Sequence, residues 1–191
     1  MVVVYIHGAN STPTSFNYIT SKIGHKSVFL EYNSNNSFYH NLAVLKKEIS
    51  TIPEPFFFVA HSLGGVYALH LATSKNKYLQ GAVTISTPYG GSLEADLLRI
   101  FLPTVQLFAD IGVKSSPIIS LSNFDVPSNW TNIVTTAGNS PLISADNDGV
   151  VSVASMSALA NKMELLQINS SHYEVLQSNE TVNIIQSKIN V

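Results

Sequence analysis

Short apolar runs alternate with amphipathic stretches along the whole chain. Residues 1–6 form an unbroken, largely β-branched run, and comparable runs recur at 27–32, 56–59, 79–85, 131–137 and 162–168. A run without polar alternation predicts a strand covered on both faces, as in a parallel sheet. Helical patterns lie between the runs. Phe38, Leu42, Leu45, Ile49 and Ile52 recur every three or four positions behind Ser37, which predicts a helix capped by the serine hydroxyl and buried along one stripe. Thr12-Pro13 predicts a second helix start, a hydroxyl cap followed by proline, running to about Gly24, and 173–189 predicts a closing helix. Strands alternating with helices at this spacing predict an α/β fold built on a parallel, doubly wound sheet with helices on both faces.

The run Phe56 to Val59 leads through Ala60-His61-Ser62-Leu63-Gly64-Gly65 into a helical pattern of Val66, Tyr67, Leu69 and Leu71. Ser62 therefore sits at an abrupt strand-to-helix reversal, a nucleophile elbow. Small residues on both sides, here Ala60 and Gly64, let such a turn close and the helix pack on the strand. Ser62 Oγ is then expected above the C-terminal edge of the sheet, with the Leu63 N–H at the helix start facing a developing oxyanion. For this pattern alone, the competing reading is a serine at an ordinary strand-to-helix turn.

With 191 residues, the chain suffices for a single domain spanning 1–191 and is short for two. It is 45% hydrophobic and only 12% charged, more apolar than an average globular domain, and part of that excess is expected at a binding surface. The absence of cysteine excludes disulfides, thiol catalysis and thiolate zinc sites. A net charge of −2, with Arg99 as the single arginine and Lys46-Lys47 as the longest basic run, argues against a nucleic-acid partner. No apolar run approaches a membrane span and nothing resembles a secretory signal, so the expected location is cytoplasmic.

A serine nucleophile needs a base, and the base needs an acid to fix its tautomer. For a serine on such an elbow, both follow it in the chain, acid first. His70 lies down the elbow helix, away from the sheet edge, whereas His172 follows the last predicted strand in a loop able to swing over Ser62. His172 is the expected base. His7 fits a structural histidine holding the loop after the first strand, and His25 and His40 fit bystanders. All the aspartates follow Ser62. Asp146 and Asp148 occupy the loop after the fifth strand; Asp148, followed by Gly149 and the anchoring pair Val150-Val151, is the expected acid, with Asp146 the alternative. For the pair, the non-catalytic readings are an Asx-turn or a cation loop.

Between 92 and 117 the pattern changes. Leu93, Leu97, Ile100, Phe101, Leu107, Phe108 and Ile111 are apolar on more than one helical face, and Pro103 interrupts them. The segment is expected to be either a core helix over the sheet or a helical lid above the strand ends, and the two roles are compatible. As a lid, it would offer Leu97, Phe101 and Phe108 to the substrate.

His7-Gly8-Ala9, Ala60-His61-Ser62-Leu63-Gly64-Gly65, Ser86-Thr87-Pro88-Tyr89-Gly90-Gly91-Ser92, Asn147-Asp148-Gly149-Val150-Val151 and His172-Tyr173-Glu174 together resemble α/β-hydrolase lipases and esterases, including the GPI-inositol-deacylase-like group. The elbow reads A-x-S-x-G instead of the commoner G-x-S-x-G, a departure small lipases of this superfamily share. The resemblance implies a minimal α/β-hydrolase fold lacking the superfamily's first two strands, with six parallel strands in family order 4-3-5-6-7-8. It also implies the Ala9 N–H as second oxyanion donor. Some relatives bind a structural calcium near the acid and base loops; Glu174 is one candidate ligand here, but no second is evident, so no metal is expected, and no cofactor.

The activity implied is hydrolysis of a small acyl ester or lipid through an acyl-enzyme on Ser62, with His172 as base and Asp148 orienting it. An acyltransferase or thioesterase would use the same residues. A non-catalytic binding module on the same scaffold is the alternative outside catalysis.

Overall fold

The computed structural model describes residues 1–102 and 104–190. Its sheet has six parallel strands: β1 (Val2–Ile6), β2 (Lys26–Leu30), β3 (Phe56–His61), β4 (Leu79–Ile85), β5 (Trp130–Thr135) and β6 (Glu164–Ile168), in the order β2-β1-β3-β4-β5-β6. This is the minimal α/β-hydrolase arrangement. The inner strands β1, β3 and β5 are buried at every position, whereas the edge strands β2 and β6 are partly exposed.

Alternate residues of each strand feed separate layers. Val2, Val4, Ile6, Phe56, Phe58 and Ala60 pack under α2 (Phe38–Ile49), α3 (Leu63–Ala72) and α6 (Ser116–Leu121). Val3, Tyr5, Phe57 and Val59 meet α1 (Asn17–Lys22) and α8 (Asn179–Ile189) on the opposite face. The remaining helices are α4 (Leu93–Phe101) and α5 (Gln106–Ile111), which follow β4, and the short α7 (Val153–Met156). Among the described residues, no helix is long and apolar enough to cross a membrane.

Two helix starts differ from the sequence pattern. Thr12 Oγ1 bonds Thr14 Oγ1 at 2.7 Å instead of capping an N–H, so Pro13–Phe16 winds as a tighter 3₁₀ turn before α1 begins. The closing helix begins at Asn179, not 173, because the Ser178 hydroxyl accepts from the Glu180 and Thr181 N–H groups; Glu174–Gln177 is a 3₁₀ turn. Pro103, expected to interrupt the 92–117 segment, lies outside the described residues.

The elbow fastens α3 to the sheet at one glycine. A Cβ on Gly64 would overlap the Ile6 carbonyl oxygen and come within 2.6 Å of that of His7. Backbone cannot yield as a side-chain tip does, so Gly64→Ala is expected to cost about 3 kcal/mol, at the upper end of overpacking penalties. Denaturant unfolding of the two proteins measures it.

Candidate active site

The C-terminal ends of β1, β3, β4, β5 and β6 deliver the site, as expected of a parallel sheet. At the end of β3, Ser62 has φ 52° and ψ −124°, a left-handed conformation unusual for a side-chain-bearing residue. Its N–H is anchored on the Ile85 carbonyl at 2.8 Å, so the neighbouring strand holds the turn. Ser62 lines a pocket of about 290 Å³ together with Ala9, Leu63, Leu107, Ile111 and His172. Ser62 Oγ has no hydrogen-bond partner among the described residues.

The loop after β1 crosses directly over the serine. A Cβ on Gly8 would sit 2.9 Å from His61 Nδ1 and 3.2 Å from Ser62 Cβ, so only glycine fits without displacement. His7 secures this loop: its ring stacks on Tyr32 at 4.5 Å, and Tyr32 Oη donates to the His7 carbonyl at 3.0 Å. Neither the Ala9 nor the Leu63 N–H meets an acceptor among the described residues. Both residues line the pocket, leaving two unspent donors beside Ser62.

The loops after β5 and β6 bring Asp148 and His172 together. His172 Nδ1 donates to Asp148 Oδ2 at 2.7 Å, and the His172 N–H donates to the Asp148 carbonyl at 3.0 Å. With Nδ1 committed, Nε2 is the ring nitrogen left for the pocket. Asp148 is only 1% exposed and has a full set of donors. Thr135 Oγ1 donates to Oδ2 at 2.5 Å, and the Val150 and Val151 N–H groups donate to Oδ1 at 3.0 and 2.8 Å. Burial on its own would raise the carboxyl's pKa; the bond to and charge of His172, the Thr135 hydroxyl and the Val151 N–H outweigh it and hold the group below its ordinary value. Asp146 is exposed and offers its backbone carbonyl to the Val153 N–H at 2.8 Å. Asn147 organises the loop between them, accepting from the Ser140 and Gly149 N–H groups and donating to the Ile143 and Ala145 carbonyls.

Several contributors carry no obvious signal in the sequence. Ser86 Oγ lies 2.7 Å from Thr135 Oγ1; since Thr135 gives its proton to Asp148, Ser86 is the donor, completing a chain of hydrogen bonds from the end of β4 through β5 to the Asp148 carboxylate. A buried hydroxyl at the C-terminal end of a strand is the trace that points to both. His61 has no such trace. Its Nε2 donates to the His172 carbonyl at 2.9 Å across 111 residues of chain, and the two rings lie 4.7 Å apart. Burial first, and the neighbouring His172 second, push the His61 pKa down to about 3.

Between about pH 3 and 6.5 the unfolded chain binds a proton at His61 that the folded chain refuses, so stability is present above pH 6.5 and drains away on acidification. Asp148, with its depressed folded pKa, adds to the loss only near and below the ordinary carboxyl value of 3.8. Denaturant unfolding is therefore expected to weaken from pH 6.5 downward, and His61→Gln, which keeps an N–H for the His172 carbonyl, to flatten that decline.

The 92–117 segment meets the pocket differently from the sequence expectation. Leu107 and Ile111 of α5 line it, but Leu97, Phe101 and Phe108 do not. The reason is the orientation of α4: Ala95 is its buried residue, while Leu97 is 62% and Phe101 79% exposed, so its apolar stripe faces outward. Phe108, half-buried, lies on α5 between the two lining residues. His70 donates from Nε2 to the Pro117 carbonyl at 3.0 Å, remote from the pocket. Glu174 accepts from Ser171 Oγ at 2.7 Å, and among the described residues no three His, Asp or Glu side chains converge as a metal set.

A six-stranded parallel sheet with an elbow serine at its centre defines an α/β hydrolase. The chain belongs to the serine hydrolase family, whose model matches residues 37–180. Among solved structures it is similar to a metagenomic carboxyl esterase, MGS0156, with a TM-score of 0.73 and 17% identity over 92% of this chain; the chain spans 65% of that esterase's length. It is also similar to the ydeN gene product from B. subtilis (TM-score 0.70, 17% identity, 100% of this chain and 99% of that one). A third is Bacillus licheniformis lipase BlEst2 in mature form (TM-score 0.67, 15% identity, 97% and 90%). These identities carry the fold alone. No curated protein matches the sequence.

Proposed function

We propose that the protein hydrolyses carboxylic esters through an acyl-enzyme on Ser62. His172 takes the Ser62 proton, returns it to the leaving alcohol and then activates water; Asp148 holds His172 in the tautomer that leaves Nε2 free. The Ala9 and Leu63 N–H groups receive the oxyanion. The observation that carries the reading is the coincidence, in one pocket, of a left-handed serine, a histidine bonded to a buried carboxylate at 2.7 Å and two unspent N–H donors.

The apolar lining from Leu107, Ile111, Val150 and Val151 supports an acyl chain as the group held beside Ser62, which makes the enzyme lipase- or carboxylesterase-like. The segment 92–117 is its lid, with α5 forming a wall of the pocket and α4 turning Leu97 and Phe101 outward. The closer resemblance to GPI-inositol-deacylase-like lipases rests on the motif set and belongs to the same proposal.

A panel of p-nitrophenyl esters of rising acyl length tests this. Turnover is expected, with an optimum among short to medium chains that a pocket of about 290 Å³ accepts. Absence of turnover on every member would count against ester hydrolysis.

A further inference from the structure

The largest polar concavity in contact with the site has no role in the mechanism above. A trench of about 520 Å³ is lined by His7, Asn10, Ser11, Glu31, Tyr32 and Asn33 among others. It is open to solvent along its length. Asn10 and Ser11 also line the Ser62 pocket, so the two cavities share one wall. That wall is built in place: Asn10 has φ 53°, and its N–H donates to Ser34 Oγ, also in the trench lining, at 2.8 Å.

The two cavities differ in chemistry. The Ser62 side carries Leu63, Leu107, Ile111, Val150 and Val151. Amides, hydroxyls and one carboxylate line the trench, and it contains no lysine or arginine. His7 Nδ1–H donates to the Gly8 carbonyl at 2.8 Å, so in the neutral ring Nε2 is an acceptor, without a partner among the described residues. Glu31 is exposed, and its carboxylate forms no ion pair among the described residues. Acceptors of this kind are matched by hydroxyl donors. An unpaired carboxylate repels phosphate and carboxylate.

We infer that the trench is the alcohol subsite, and that the preferred substrate is an acyl ester of an uncharged polyol, a glyceryl or sugar ester. The inference rests on the ester-hydrolase reading. In the step concerned, the Ser62 Oγ–acyl bond forms, the bond from the acyl carbon to the polyol oxygen breaks, and the proton that His172 took from Ser62 passes to that oxygen. The polyol leaves as a neutral alcohol on the trench side, while the acyl group stays on the apolar side.

The test compares kcat/KM for ethyl butyrate, glyceryl monobutyrate and the butyryl ester of glycerol phosphate, each normalised to its hydroxide-catalysed rate. The wild-type protein is expected to favour the glyceryl ester over the ethyl ester by about tenfold or more, and to disfavour the phosphate ester. Glu31→Leu and Asn33→Leu are each expected to bring the glyceryl-to-ethyl ratio down towards one, and Glu31→Gln to relieve discrimination against the phosphate ester. Equal normalised values for the glyceryl and ethyl esters in the wild-type protein overturn the trench assignment while leaving ester hydrolysis standing; so does a glyceryl preference that both leucine variants retain. Hydrolysis of none of the esters overturns the ester-hydrolase reading and this inference with it.

Discussion

Ser62→Ala is expected to lower kcat on the best p-nitrophenyl ester by on the order of 10⁴-fold or more while leaving the unfolding transition near that of the parent. The size follows from what is lost. Without Oγ there is no acyl-enzyme, and the oxyanion donors alone retain only a fraction of the catalysis. Folding should survive because Ser62 Oγ has no hydrogen-bond partner among the described residues, and the anchoring bond to the Ile85 carbonyl comes from the backbone. The left-handed backbone at Ser62 is no worse for alanine than for serine. A variant with most of its activity intact would assign the chemistry to another group.

Asp148→Asn is the second large effect, expected at about 10⁴-fold in kcat, because an amide in that place stabilises the wrong imidazole tautomer. Here structural cost accompanies the kinetic one. The carboxylate accepts from Thr135, Val150, Val151 and His172, and an amide NH2 would face a donor on one side. The readout is therefore kcat for the folded fraction at saturating substrate, alongside the unfolding curve. Asp146→Asn is the control: its side chain is exposed and touches neither His172 nor the pocket, so turnover should change by less than about twofold. An inverted pattern would move the acid to Asp146.

The same contrast shows what was legible in the chain. The strands stand out because their apolar runs carry their own signal; β4 falls on residues 79–85 as the pattern predicts. The elbow stands out because Ala60 and Gly64 are local requirements of one turn. Gly149 and the apolar pair behind it distinguish Asp148 from Asp146 in the sequence, and in the structure Val150 and Val151 are the residues whose N–H groups hold the Asp148 carboxylate.

What stayed hidden depends on contacts between distant segments or on the facing of a helix. His61 acts on His172 through a backbone carbonyl 111 positions away, and a carbonyl has no residue type to recognise. Ser86 and Thr135 read as ordinary strand-end hydroxyls until β4 and β5 lie side by side. Leu97 and Phe101 belong to a segment apolar on more than one helical face, a pattern that does not say which face turns inward; on α4 both face outward. The hydroxyl of Thr12 found Thr14 instead of an N–H, an option that threonine always has at a helix start.

The most direct measurement is mass spectrometry of the protein after treatment with a fluorophosphonate. One phosphonyl adduct is expected, carried by the peptide containing Ser62, formed quickly in the wild-type protein and much more slowly in His172→Ala. An unmodified Ser62 under conditions that label a reference serine hydrolase, or an adduct formed at the same rate without His172, would contradict it.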